Sequence, residues 1–364
     1  MTWKSSRDIF MDTSNMILNK THPLYQEDLE YIASVVGGSL RGKTLLITGA
    51  TGLIGTLMID ALMRIGNVNV IATGRSRQKA ENRLGEHFSN PLFSFLEQDV
   101  NTRFEPSLSP DYILPLASNT HPLAYSKYPV ETIMANIDGA RNALDLACAC
   151  NATVLYPSSV EIYGNACGDD LFTEDYTGSL NLSNARSCYT ESKRVCESMC
   201  QSYAEEKGIK TKIVRLSRVF GPTMLESDTK ASSQFIRKAV NGEDIVLKSG
   251  GEQYFSYTYS ADAVAAMLFV MLNGEDAGIY NISNEACNVH LKDFAVICAA
   301  VCGKKVVFDL PSEDEQKGFS IATKAILSND KLKEVGFSPI YGIENAIMRT
   351  VAILRDSSLL HNTE

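Results

Sequence analysis

Along the chain the spacing of apolar residues alternates between helical and extended patterns, and each change marks an element. Residues 25–36 set Leu29, Ile32, Ala33 and Val36 on one helical face. Residues 43–48 carry the run Leu45-Leu46-Ile47, which reads as a buried strand entering a glycine-rich turn. Helical spacing then returns through Leu53, Leu57, Ala61 and Ile65, with Gly66 placed to end the helix. Val68-Asn69-Val70-Ile71-Ala72 is the next strand, so this unit is βαβ and its strands are expected to be parallel.

Further strands are expected at 93–96, 112–116, 153–156 and 212–216, and long helices at 133–150 and 189–206. This alternation predicts an α/β fold: a doubly wound parallel Rossmann-type sheet with its ligand across the carboxyl ends of the strands. Beyond Gly221-Pro222 the pattern is less regular, with helices at 235–240 and 261–271 and strands at 245–247 and 278–282. The expected organisation is an N-terminal extension (1–41) packing on the main domain and a dinucleotide-binding domain (42–220). A smaller C-terminal substrate-binding region (221–364) follows, from which about 248–282 returns to the main domain.

With 364 residues, 45% of them hydrophobic, the chain can bury a large core in two joined domains. A net charge of −9 argues against a nucleic-acid surface, while leaving room for a local phosphate pocket. Nine cysteines lack metal-ligand spacing, and their scatter fits core packing in a reducing compartment. The first residues lack the order of a signal peptide and no apolar run is long enough to span a bilayer, so a cytoplasmic chain without a membrane partner is expected.

Gly49-Ala50-Thr51-Gly52-Leu53-Ile54-Gly55 follows a strand and opens a helix. Glycines there permit a tight turn and close pyrophosphate approach, and the amides at the helix start can solvate phosphate. An ordinary strand-to-helix turn is the competing account. Asp99 and Val100, after the third strand, are expected on the adenine side of the crevice, and Leu116 and Ala117 are assigned to it as well. The second strand ends in Thr73-Gly74-Arg75-Ser76-Arg77, with no acid for the ribose hydroxyls. Arg75 and Arg77 could meet the extra phosphate of NADP or stand as solvated arginines; NAD is the first expectation and NADP the alternative.

Tyr189 and Lys193 lie four residues apart on an expected helix, hence on one face. There Lys193 can hold a nicotinamide ribose and favour the tyrosinate by its charge, making Tyr189 a candidate base. Ser158-Ser159 at a strand end adds a hydroxyl for the reacting oxygen, Ser159 being preferred, although a turn or cap is the better account of such a pair taken in isolation. Asn119, Thr120 and His121 follow a strand and could reach cofactor or sugar; His121 has no companion ligands, and no metal is expected.

These residues, with Ser158-Ser159-Val160-Glu161-Ile162-Tyr163-Gly164 and Arg215-Leu216-Ser217-Arg218-Val219-Phe220-Gly221-Pro222, resemble the extended short-chain dehydrogenase/reductase family, in particular its nucleotide-sugar epimerases, dehydratases and decarboxylases. The resemblance runs from about residue 42 to 281 and less specifically to the end. It implies a Ser159-Tyr189-Lys193 triad, transient oxidation of a hexose at C4, a nucleotide-sugar substrate, and a homodimer formed through the two long helices. It also implies three outcomes: epimerisation, 4,6-dehydration and UDP-glucuronate-type decarboxylation.

Dehydratases of the family usually carry Asp-Glu where this chain has Val160-Glu161. The decarboxylases share Glu161 and the run Arg186-Ser187-Cys188-Tyr189-Thr190-Glu191-Ser192-Lys193-Arg194, which makes Glu161 a catalytic candidate. Relatives commonly have arginine where Phe255 stands, a position used near the diphosphate and the acid-base centre. Arg186 or Arg218 could compensate, or either could be a structural ion pair; Phe255 could pack under the sugar or in the core. Epimerisation is therefore ranked first and decarboxylation second, and a non-catalytic dinucleotide-binding regulator is the reading from a different class.

Overall fold

The computed structural model describes residues 18–120, 122–164, 171–309 and 323–359. Its strands are, in chain order, β1 (Thr44–Thr48), β2 (Asn69–Gly74), β3 (Phe93–Glu97), β4 (Tyr112–Pro115), β5 (Thr153–Ser159), β6 (Thr211–Leu216), β7 (Arg218–Phe220), β8 (Ile245–Leu247), β9 (Tyr254–Tyr259), β10 (Ile279–Ile282), β11 (Asn288–His290), β12 (Val306–Phe308) and β13 (Lys324–Ala325). A seven-stranded sheet runs in the order β10-β6-β5-β4-β1-β2-β3. All its pairings are parallel. The order reverses between β1 and β4, and that crevice is where a doubly wound sheet takes its ligand.

Both faces of this sheet are covered, which explains the unbroken apolar run of β1. Leu45 and Ile47 join one core cluster and Leu46 the other. Neighbouring side chains on a strand point to opposite faces, so a strand buried on both sides needs apolar residues at every position.

The helices are α1 (Pro23–Val36), α2 (Leu53–Ile65), α3 (Arg77–Leu84), α4 (Pro122–Lys127), α5 (Pro129–Cys150), α6 (Ser187–Lys207), α7 (Ala231–Val240), α8 (Ser260–Asn273) and α9 (Leu291–Cys302), with a C-terminal helix at Ile343–Leu359. Helix α5 starts on a proline, whose missing N–H costs nothing there, and stops at Asn151, which takes the left-handed conformation. Helices α5 and α6 pack on each other and, through Ala143, Ala147, Cys196 and Cys200, on one face of the sheet.

On the opposite face α1 packs against α2 and α8. Three buried carboxylates pin it there. Asp28 accepts from Arg349 Nη2 (2.8 Å) and the Tyr259 hydroxyl (2.5 Å), Asp60 from the Tyr25 hydroxyl (2.5 Å), and Asp262 from the Tyr31 hydroxyl (2.9 Å). A carboxylate is tolerated in the interior when it is paired in this way.

A second, four-stranded sheet is built on β9, with β7 and β13 parallel to it and β11 antiparallel. Strands β8 and β12 form a separate parallel pair beside α7 and α9. The stretch 248–282 therefore returns to the main sheet only through α8 and β10. Its strand β9 instead anchors the smaller sheet, because β7 leaves β6 after Ser217 and pairs with β9 rather than continuing the main ladder.

Candidate active site

Gly49 ends β1 with a φ of +64°, and a Cβ there would lie 2.8 Å from the Ala117 amide nitrogen at the end of β4. A Cβ on Gly55 would sit 2.5 Å from the Gly49 carbonyl oxygen. Only glycine lets the turn close against β4 while α2 packs down on it. Gly52 is extended at the N-cap and offers no side-chain cap, so the first amides of α2 keep their capacity for an external acceptor. Thr51, Gly52, Leu53 and Ile54 are half-buried, whereas Gly55 is buried. Glycines, Leu116 and Ala117 thus converge at the sheet's switch point.

The remaining cofactor candidates divide. Arg77 is spent on Glu81 (2.9 Å) and on the Phe88 ring, while Arg75 is two-thirds exposed and touches only the exposed Glu131 at 3.5 Å. Asp99 accepts from the Asn101 amide, a turn contact. The Val100 carbonyl accepts from Asn142 Nδ2 (2.7 Å), holding the loop after β3 against α5.

The chemical residues gather at the carboxyl end of β5. Ser159 is its last residue; its hydroxyl accepts from the Glu161 amide (3.3 Å) and is near enough to Tyr189 to favour the charged form of that phenol. Tyr189 and Lys193 sit on the buried face of α6. Lys193 Nζ donates to the Pro157 carbonyl (2.8 Å) and lies 6.0 Å from the Tyr189 ring centroid. Burial pushes the phenol well above its ordinary pKa, helped by the charge of Glu161, against the pull of the nearby Ser159 hydroxyl. Burial likewise brings the Lys193 ammonium down to about 8. Burial disfavours the charged form of each group, and the ammonium is turned to a backbone carbonyl rather than to the phenol.

The substrate candidates are placed as follows. Glu161 lies two residues beyond Ser159, and its Oε1 is 3.8 Å from Arg218 Nη2. Phe255 is buried, and the Arg218 guanidinium lies over its ring at 3.5 Å. Arg186, at the N-cap of α6, lies over the Tyr125 ring at 5.7 Å. Asn119 Nδ2 donates to Thr132 Oγ1 (3.1 Å), Thr120 is exposed, and His121 lies outside the described residues.

Sequence reasoning missed several supports. Tyr125 stacks on Tyr189 at 5.4 Å, a pairing that only the tertiary fold creates. Asn136 links Ser118 (2.7 Å) to Ser192 (2.8 Å), tying the loop after β4 to α6; its signal was a polar residue on the buried face of α5. Thr223 Oγ1 donates to the Leu53 carbonyl (2.7 Å), and Arg83 Nη2 to the Thr223 carbonyl (2.6 Å), so the loop after β7 is seated on the start of α2. A surface hollow of about 330 Å³ at Gln201, Gly208 and Asp276 lies away from all of these residues, at the amino end of β6.

Comparison with known proteins agrees with this geometry. Residues 45–283 match the model of the NAD dependent epimerase/dehydratase family. UDP-glucuronic acid decarboxylase 6 of Arabidopsis thaliana is 34% identical over 66% of this chain and 69% of its own length. UDP-glucuronic acid decarboxylase 1 of Danio rerio is 30% identical over 85% of this chain and 72% of its own. Among solved structures, the UDP-glucose 4-epimerase of Thermotoga maritima superposes with a TM-score of 0.74 at 22% identity, over 86% of this chain and 99% of that one. The described helices include none long and apolar enough to cross a membrane. With its glycine turn at the sheet's switch point and a match spanning residues 45–283, the chain belongs to the NAD dependent epimerase/dehydratase family of nucleotide-sugar enzymes.

Proposed function

We propose that this protein binds NAD and a UDP-hexuronate, oxidises the sugar transiently at C4 and releases its carboxylate as carbon dioxide. The observation that carries the C4 chemistry is the placement of Tyr189 and Lys193 one turn apart on the buried face of α6, with Lys193 bonded to the Pro157 carbonyl two residues before Ser159 at the carboxyl end of β5. The preference for epimerisation drawn from sequence gives way to decarboxylation on the strength of the curated relatives, which are UDP-glucuronic acid decarboxylases. The loss of the family's usual arginine at Phe255 had favoured epimerisation, but a guanidinium does stand over that residue, supplied by Arg218.

The residues present fit the cofactor. Gly49 and Gly55 let the turn close against Leu116, Ala117 and the start of α2, which leaves the first amides of that helix to meet a pyrophosphate. When bound, oxidised nicotinamide supplies a reversible hydride acceptor for C4. Tyr189 takes the C4 hydroxyl proton, and Ser159 holds the same oxygen. Once C4 is a ketone, the bond from C5 to the carboxylate carbon breaks, carbon dioxide leaves, and the electron pair is delocalised onto the C4 oxygen. Ser159 and the protonated Tyr189 stabilise that oxygen by donating hydrogen bonds. Glu161 is positioned to return a proton to C5, and reduction of C4 completes the cycle without a separate reductant.

The second sheet and its helices form the region that would hold the sugar nucleotide. A homodimer through α5 and α6 is supported by Met134 and Val195, apolar side chains 45% and 43% exposed on those helices.

The test is incubation of the purified protein with NAD and a panel of UDP-, dTDP-, GDP- and CDP-sugars, followed by mass analysis. Carbon dioxide loss from UDP-glucuronate is expected. Unchanged mass with altered retention would identify an epimerase instead, and loss of water a dehydratase. Tyr189→Phe is expected to lower turnover by about 10²- to 10⁴-fold while UDP-glucuronate binding persists. Absence of turnover with every sugar would return the protein to the non-catalytic reading.

A further inference from the structure

Arg218 differs from the other deeply paired arginines of this fold. Arg215 is saturated by Glu197, the Tyr163 hydroxyl and the Glu174 carbonyl, and Arg349 by Asp28, Glu27 and the Leu24 carbonyl. Arg218 is only 18% exposed, yet its Nη1 is buried without a hydrogen-bond partner among the described residues. The carboxylate within 4 Å of it, Glu161, faces Nη2 at 3.8 Å, beyond hydrogen-bond reach. A guanidinium is a planar fork of five donors, so one edge can face Glu161 while another receives a second anion. The Phe255 ring beneath it holds the fork in a fixed plane through cation–π contact.

Its position says which anion. Glu161, on the far side of the pair, is close enough to Tyr189 for its charge to raise that phenol. The charge of Arg218 is felt by Tyr125, which stacks on Tyr189. Arg218 therefore belongs to the end of the cleft where C4 reacts. In a hexuronate the carboxylate is carried by C5, next to C4, whereas the nucleotide diphosphate leaves from C1 across the ring.

We propose that Arg218, seated on Phe255, recognises the sugar carboxylate and so selects hexuronates over neutral hexoses. This deepens the function proposed above and rests on its placement of C4 beside Tyr189.

The test measures binding of UDP-glucuronate, UDP-glucose and UDP to the NAD-supplemented wild type and to Arg218→Gln by calorimetry. Loss of a charge-assisted pair predicts that the variant binds UDP-glucuronate about tenfold to a hundredfold more weakly, while UDP-glucose and UDP change by less than about threefold. Retained UDP binding also shows that the variant is folded, and Arg218→Lys, which keeps charge but not the fork, should fall between the two. Equal weakening for all three ligands, no weakening for any, or a wild type that fails to bind UDP-glucuronate overturns the assignment. Carbon dioxide release by the wild type separates the two proposals. Selective weakening without release leaves the carboxylate site standing and removes the decarboxylase reading; release without selective weakening does the reverse.

Discussion

Lys193 Nζ donates a hydrogen bond to the Pro157 carbonyl oxygen at 2.8 Å, tying α6 to β5 two residues before Ser159. The bond fixes where the ammonium stands relative to the phenol one turn earlier. It also uses a neutral acceptor, so the buried charge gains no counter-ion from it, and desolvation dominates the lysine's pKa.

That pKa has a consequence for stability. In the folded protein Lys193 sits at about 8 against an ordinary 10.5, so between these values the unfolded chain binds more protons than the folded one. Stability contributed by this site must then rise as pH increases through that window. Urea melts of wild type and Lys193→Met should show the wild type gaining about 2 kcal/mol relative to the variant between pH 7 and 10. A pH-independent difference would mean that Lys193 titrates normally.

The glycine turn makes a second prediction through backbone contact rather than charge. A Cβ at Gly55 would press on the Gly49 carbonyl oxygen at 2.5 Å, and a backbone atom in a tight turn cannot yield as a side chain can. Gly55→Ala should cost about 1–3 kcal/mol and weaken NAD binding. Gly85, in right-handed helical conformation with nothing within 4 Å of its added Cβ, is the control: Gly85→Ala should change stability by less than about 1 kcal/mol. Equal thermal shifts for the two variants would disprove the packing explanation.

Arg215 and Glu197 supply a third. Arg215 Nη2 meets Glu197 Oε2 at 2.8 Å and Nε meets Oε1 at 3.1 Å, both residues being buried, so β6 is fastened to α6 one turn after Lys193. Removing one partner strands a buried charge, and Glu197→Leu should cost about 3–5 kcal/mol. Adding Arg215→Met should recover part of that loss. A double variant whose loss equals or exceeds the sum of the two single losses would show that the pair is not the coupled unit the geometry indicates.

The sheet was legible in the sequence because its strands are buried on both faces and its helices on one, and those two demands leave different apolar spacings in the chain. Helix α2 was read to the residue, from Leu53 to Ile65, since glycines bound it on both sides. Helix α9 escaped notice although Phe294, Ala295, Cys298 and Ala299 have helical spacing; its apolar content was weighed only for cysteine chemistry. Strand β9 was not predicted, and its stretch was assigned to the main domain, because hydrogen-bond partners between distant segments leave no mark in local periodicity.

For the site, Ser159, Tyr189, Lys193 and the three glycines could be found from spacing because each depends on its own strand or helix for orientation. The sequence by itself determined the fold class and singled out this set as candidates, for periodicity and turn chemistry are local. Only the tertiary structure decided what surrounds them: Tyr125 stacked on Tyr189, Arg218 stacked on Phe255, and the lysine directed to Pro157. Those contacts join segments up to tens of residues apart, and the burial that sets the charge of each group exists only once the segments have packed together.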